Sequence, residues 1–168
     1  MTDDPLAYFI TFTCYGTYLP GDERGWTKWH RGEQLPRPRL EAWCRKQMSE
    51  PPILLDADQR AIVEQAIRDH CQIRRWTLHA VNCRSNHCHL VVTARDYAGE
   101  LVRDQVKAWG TRRLKEHQER DGVPRDKLRE NWWTRKGSVR HLFDDESLEA
   151  AVMYTQEAQD RGGSKGNL

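Results

Sequence analysis

Three residues of this 168-residue chain have types and spacing suited to chemistry. His87 and His89 flank Cys88 and run straight into Leu90-Val91-Val92-Thr93. This stretch reads as a strand. Side chains on a strand alternate faces, so His87 and His89 point the same way and Cys88 points the other. Two imidazoles on one face can reach a single metal ion. The bland alternative is a pair of surface histidines. Tyr154 ends the run Ser147-Leu148-Glu149-Ala150-Ala151-Val152-Met153-Tyr154, which reads as helix. With Leu148 at the origin and a step of about 100° per residue, Leu148, Ala151, Val152 and Thr155 cluster within about 60° and form the core side. Tyr154 falls near 240°, at the border of the buried face, where a side chain can reach a cleft. A phenol has a reference pKa of about 10 and is a weak nucleophile near neutral pH.

Several elements must hold these residues in place. Residues 7–15, Ala-Tyr-Phe-Ile-Thr-Phe-Thr-Cys-Tyr, alternate and are rich in aromatic and β-branched types, which predicts a central strand. Residues 16–52 read as a long loop punctuated by glycine and proline, with a short helix around 40–48. A loop of that length is usually functional or mobile; it either closes over a nucleic-acid strand or packs as an insertion. Asp56 or Asp58 caps a helix reaching about Arg74, with Ile62, Val63, Ala66, Ile67, His70 and Cys71 as its apolar stripe. Trp76 to Cys83 is a strand, Arg84-Ser85-Asn86 a turn, and the histidine strand completes a hairpin. Residues 98–119 form a helix buried through Leu101, Val102, Val106, Trp109 and Leu114, and Gly122-Val123-Pro124 breaks it. A strand over Val139–Phe143 and a helix capped by Asp144 or Asp145 follow. The last helix runs from 146 to about 159. Strand, helix, strand, strand, helix, strand, helix is an α+β chain: a ferredoxin-like split βαβ antiparallel sheet with an added C-terminal helix carrying the tyrosine. It reads as one domain over 1–160, with an insertion at 16–55 and a flexible tail at 161–168.

The composition narrows the classes. Five cysteines without a Cys-x-x-Cys pair argue against a disulfide framework and a zinc ribbon. A zinc site from Cys83, His87 and His89 is an alternative, although Cys83 lies across the turn. No apolar stretch approaches the ~18 residues a membrane helix needs, so a cytoplasmic protein is expected. The net charge is only +2. The basic residues gather between 98 and 140, and the segment 141–160 carries acids without a Lys or Arg. That asymmetry suggests a phosphate-facing surface beside a metal-binding one. Trp133, Arg135, Lys136 and Arg140 form an aromatic-basic cluster, in which Trp stacks on bases while cations hold phosphates. Of Trp132 and Trp133, one is expected in the core and one available. Arg84, at the turn beside the histidine strand, is a further phosphate contact.

A His-hydrophobic-His strand followed by a C-terminal helix with one tyrosine resembles the single-tyrosine HUH nucleases, in particular the IS200/IS605-like, REP-associated tyrosine transposases. The resemblance covers about residues 7–15 and 56–160. It implies a DNA strand-transfer enzyme in which Tyr154 is the nucleophile and His87 and His89 ligate Mg2+ or Mn2+. Its substrate would be single-stranded DNA bearing a hairpin, its product a covalent 5′-phosphotyrosine, and a homodimer is one assembly it allows. The family pattern places Gln or Asn four residues after the tyrosine. Here that position is Ala158, which cannot ligate. Glu157 is the replacement expected for the third metal ligand, with Gln159 as the alternative if the helix ends early. Among the other tyrosines, Tyr97 is the next candidate nucleophile. A non-catalytic nucleic-acid-binding domain on the same fold is the competing reading. The cleft-face placement of both histidines predicts that truncating either leaves folding intact.

Overall fold

A computed structural model describes residues 4–28 and 30–158; the tail expected at 161–168 and Gln159 lie outside the described residues. Four strands, β1 (Ala7–Thr13), β4 (Thr77–Cys83), β5 (His87–Thr93) and β6 (Ser138–Leu142), make one antiparallel sheet in the order β4-β5-β1-β6. Helices α2 (Ala57–Arg74) and α3 (Gly99–Arg120) follow β1 and β5, and α4 (Asp145–Gln156) follows β6. This is the split βαβ arrangement with an extra helix, and β1 is interior, as its alternation predicts.

Alternation gives the sheet two different faces. Tyr8, Ile10, Phe12 and Cys14 lie with Cys88, Leu90 and Val92 on the face covered by α2 and α3, against Val63, Ile67, Cys71, Val102, Val106 and Leu114. The opposite face carries Ala7, Phe9, Val91 and Leu142, packed under Leu148, Ala151 and Val152 of α4. Because both faces are covered around the middle of β5, all but its last residue are buried.

Local chemistry sets the helix ends. Asp56 caps α2: its Oδ1 accepts from the Gln59 N–H at 2.8 Å, and the Gln59 side chain accepts from the Asp56 N–H at 3.0 Å. Asp144 caps α4 by accepting from the Ser147 N–H at 2.7 Å. In α3 the expected stripe is shifted. Leu101 is 47% exposed, whereas Arg103 and Gly110 are buried. Trp109 is half-buried under the guanidiniums of Arg112 and Arg113, 4.9 and 5.8 Å from its ring. Arg103 tolerates its position because Asp104 and the Gly137 carbonyl accept from it at 2.9 and 3.1 Å.

The segment between β1 and α2 is more structured than a loop. It contains a small hairpin, β2 (Trp26–Lys28) with β3 (Gly32–Gln34), then α1 (Pro38–Gln47). Buried Trp26 donates to the Leu35 carbonyl at 3.0 Å. The segment returns to the sheet end through Ile53 N–H to the Tyr15 carbonyl (3.1 Å) and Leu55 N–H to the Ser85 carbonyl (2.8 Å). It therefore braces the turn that precedes the histidines.

The exposure difference along α3 is testable by urea denaturation. Leu114→Ala should lose about 2–5 kcal/mol through lost burial and a residual cavity, while Leu101→Ala should change stability by less than about 0.5 kcal/mol. Equal losses would place Leu101 in the core after all.

Candidate metal and nucleophile site

The turn 84–86 is fixed by backbone bonds on three sides. The Cys14 N–H donates to the Asn86 carbonyl at 2.8 Å, Leu55 N–H to Ser85, and Arg84 N–H to the His87 carbonyl at 2.7 Å. His87 and His89 then emerge on the α4 face, opposite Thr13 and Thr11 of β1. Both are 1% exposed, far from the surface histidines of the bland alternative. Their rings stand 4.6 Å apart at 69°.

Each imidazole is anchored at Nδ1. The His87 Nδ1 lies 2.7 Å from Asn86 Oδ1, and the His89 Nδ1 lies 2.7 Å from Thr11 Oγ1. An amide oxygen only accepts, so His87 carries its proton on Nδ1 and presents a lone pair at Nε2. The same tautomer follows at His89 when the Thr11 hydroxyl accepts. Both Nε2 atoms are buried. An oxygen partner on Nδ1 is the usual way a protein orients an imidazole for a metal, so the donor set fits a divalent ion on its nitrogen side.

Tyr154 joins this pair from α4. Its ring lies 5.4 Å from that of His89 and 5.8 Å from that of Phe9, edge-on to both. Phe9 in turn stacks on His89 at 5.6 Å and 20°. The Arg140 guanidinium sits 5.6 Å over the Phe9 ring, a cation–π contact. Phe9 and Thr11 alternate with core residues on β1, so their type gave no sign of a role; only the β1–β5 register brings them to the histidines.

Asn82 is a second residue that the sequence pattern hides. It pairs with His89 across the β4–β5 hairpin, and its Nδ2 donates to the carbonyls of Thr155 (2.9 Å) and Ala158 (3.2 Å). These are carbonyls at the end of α4, which a helix cannot satisfy itself. Asn82 therefore ties the tyrosine helix to the strand beside the histidines.

The remaining expected residues separate into groups. Glu157 follows the last turn of α4 and is exposed, its N–H bonded to the Met153 carbonyl at 3.0 Å. Among the described residues no group of three His, Cys, Asp or Glu assembles, so Glu157 is not brought to the histidine pair. Cys83 is opposite Cys88 and joins the α2–α3 core, on the other sheet face from the histidines, which removes the zinc alternative. Tyr97 packs its ring on Trp76 beyond the far end of β5. Trp132 is in the core. Trp133, expected to be available, is half-buried: its indole N–H donates to the Lys107 carbonyl (3.1 Å) and Thr111 Oγ1 (3.0 Å), and its ring abuts Phe12. Arg135, Lys136 and Arg140 are exposed and Arg84 is half-buried. Lys107 donates to the carbonyls of Thr134 and Lys136 at 2.8 and 2.6 Å, shaping the loop into β6. Burial, with Arg103 close by, pushes the Lys107 pKa down to about 8.

No family model and no curated protein matches the chain. A solved structure of a REP-associated tyrosine transposase bound to a REP hairpin aligns over 90% of this chain and 65% of its own, at 12% identity and a TM-score of 0.51. The two share a fold. At that identity the likeness speaks for architecture alone. Among the described residues no helix is long and apolar enough to cross a membrane.

Asn82→Ala should release the end of α4 and raise the hydrogen-exchange rates of its last-turn amides, with a stability loss of about 1–2 kcal/mol. Unchanged exchange there would show that packing of Leu148, Ala151, Val152 and Thr155 holds the helix without the Asn82 bonds.

Proposed function

We propose that this chain is a transposase-type endonuclease and transesterase acting on single-stranded DNA beside hairpins, with Mg2+ or Mn2+ as cofactor. The observation that supports it most is the meeting of Tyr154 with two co-facial, Nδ1-anchored imidazoles on one sheet face. The shared fold is consistent with it.

In this reading His87 and His89 would hold the ion through Nε2. Glu157 is the proposed oxygen ligand, and reaching the histidines takes a rearrangement of the turn that follows α4. When bound, a divalent ion there would polarise the scissile phosphate and steady charge on the leaving oxygen. Tyr154 supplies the nucleophile. Its phenolic oxygen bonds to phosphorus as the bond to the 3′-oxygen breaks; the phenolic proton passes to solvent and the 3′-oxygen gains one. The products are a 5′-phosphotyrosine and a free 3′-hydroxyl. Keeping the bond covalent lets the same site rejoin strands without a nucleotide cofactor. Tyr154 is 51% exposed, so a strand can reach it. Arg140, on the same face, suits a phosphate contact, with Arg84, Arg135 and Lys136 further out. Trp133 serves this surface by holding the segment before β6 in place rather than by stacking on bases.

A non-catalytic hairpin-binding domain is favoured by one observation, the lack of a third His, Cys, Asp or Glu beside the pair among the described residues. One experiment decides. A labelled hairpin oligonucleotide with a single-stranded flank is incubated with protein and either Mg2+ or Mn2+, then run on a denaturing gel. Wild type should give a protease-sensitive covalent adduct, and Tyr154→Phe should bind equally and give none. His89→Ala should also give none, but not without effect on folding: because the ring is buried and bonded to Thr11, its loss should cost about 1–3 kcal/mol. An adduct from Tyr154→Phe would assign the nucleophile elsewhere. No adduct from wild type with either metal would leave the binding domain as the better reading.

A further inference from the structure

We propose a second anion site, one that takes a phosphate group, at the end of the β4–β5 hairpin remote from the histidines. Arg74, Arg75, Trp76 and Thr77, at the α2–β4 junction, and Thr93, Arg95, Asp96 and Tyr97, at the β5–α3 junction, line one open pocket. Thr93 is six residues along β5 from His87, which is about 20 Å at the rise of a strand.

The pocket gathers three arginines around one carboxylate. Several arginines elsewhere are matched by carboxylates: Arg24 with Asp22, Arg45 with Glu41, Arg112 and Arg113 with Glu116. Arg74, Arg75 and Arg95 are exposed and make no ion pair or side-chain hydrogen bond among the described residues. Asp96 is the single carboxylate of the pocket, so three guanidiniums face one negative charge. Like charges gathered without partners repel unless an anion joins them. Guanidinium forks match phosphate oxygens in geometry as well as charge.

Two further features support a ligand. Trp76 is more than nine-tenths buried in the pocket wall, and its indole N–H has no acceptor among the described residues. A buried donor without an acceptor carries a desolvation penalty, which an oxygen acceptor brought to it would offset. Arg75 also adopts a left-handed backbone, φ 59° and ψ 34°, at the C-cap of α2, where glycine is the low-cost residue. Asp96, across the pocket, has φ 68°. Both positions carry side chains where glycine would be less strained.

The shared ligand chemistry is a phosphate group, from a nucleic-acid backbone or free in solution. The backbone source rests on the nucleic-acid reading above: a duplex stem covers 20 Å in about six base pairs, so a stem could span from the histidine end to this pocket.

The test uses two probes on the intact chain. A hairpin with a fully paired stem is titrated over a salt series into wild type, Arg75→Gly, Arg95→Gln and Tyr154→Phe. Each arginine variant should flatten the slope of log affinity against log salt by about 0.9, the value for one lost duplex phosphate contact. Tyr154→Phe should keep the wild-type slope. Arg75→Gly relieves the left-handed backbone, so its melting temperature should not fall, which separates binding from folding. In parallel, inorganic phosphate is titrated while the Trp76 indole N–H is followed by NMR, assigned through Trp76→Phe. A hairpin that shifts this signal at far lower concentration than phosphate identifies the backbone source. Phosphate alone shifting it identifies a free-phosphate site. Wild-type slopes in both arginine variants together with a signal unmoved by either probe would overturn the site. Flattened slopes with no covalent adduct would retain it and reject the nuclease reading.

Discussion

The structure depends on placing two imidazoles inside a sheet-to-helix interface without leaving their polar atoms unsupported. A buried polar group is tolerated when it is hydrogen-bonded. Here Thr11 and Asn86 meet that requirement at Nδ1 of His89 and His87. The consequence is chemical as well as structural, because an Nδ1 that donates, to Asn86 at His87 and to Thr11 at His89 when that hydroxyl accepts, leaves the lone pair of the neutral ring on Nε2. The tautomer that makes burial affordable is also the one that ligates metals.

The same constraint shapes the rest of the face. α4 is twelve residues long and contributes two fully buried side chains, Ala151 and Thr155, a small anchor for a helix. The Asn82 bonds to its final carbonyls and the packing of Leu148 and Val152 make up the difference. The opposite face, with α2 and α3, covers the larger apolar cluster. Keeping the two clusters on separate faces lets the α4 side hold a half-exposed tyrosine without weakening the main core.

Much of this was legible in the sequence. Alternation located β1 and β4, the apolar run after the histidines located β5, and the caps offered by Asp56 or Asp58 and by Asp144 or Asp145 placed the starts of α2 and α4. Co-facial histidines and a tyrosine at the border of α4 follow from geometry within single elements. What was not legible depends on pairing between elements. The register that sets Thr11 beside His89 and Asn82 beneath α4 leaves no trace in either strand alone, and the burial of the histidines follows from it. Leu101 was misplaced because helical spacing says which residues share a stripe, not where the sheet ends beneath it; Arg103 occupies the buried position by bonding to the Gly137 carbonyl. Trp133 was expected on the surface because its indole acceptors, the Lys107 carbonyl and Thr111, lie on a helix more than twenty residues earlier. The arginine pocket at the far end of β5 joins residues from two junctions that share no motif.

Whether His87 and His89 are metal ligands is the central question, and pulsed EPR of Mn2+ added to the protein addresses it without requiring turnover. Wild type should show hyperfine coupling to two imidazole nitrogens, and His89→Gln should show coupling to one. Mn2+ bound without nitrogen coupling, or no Mn2+ bound at millimolar concentration, would contradict the assignment.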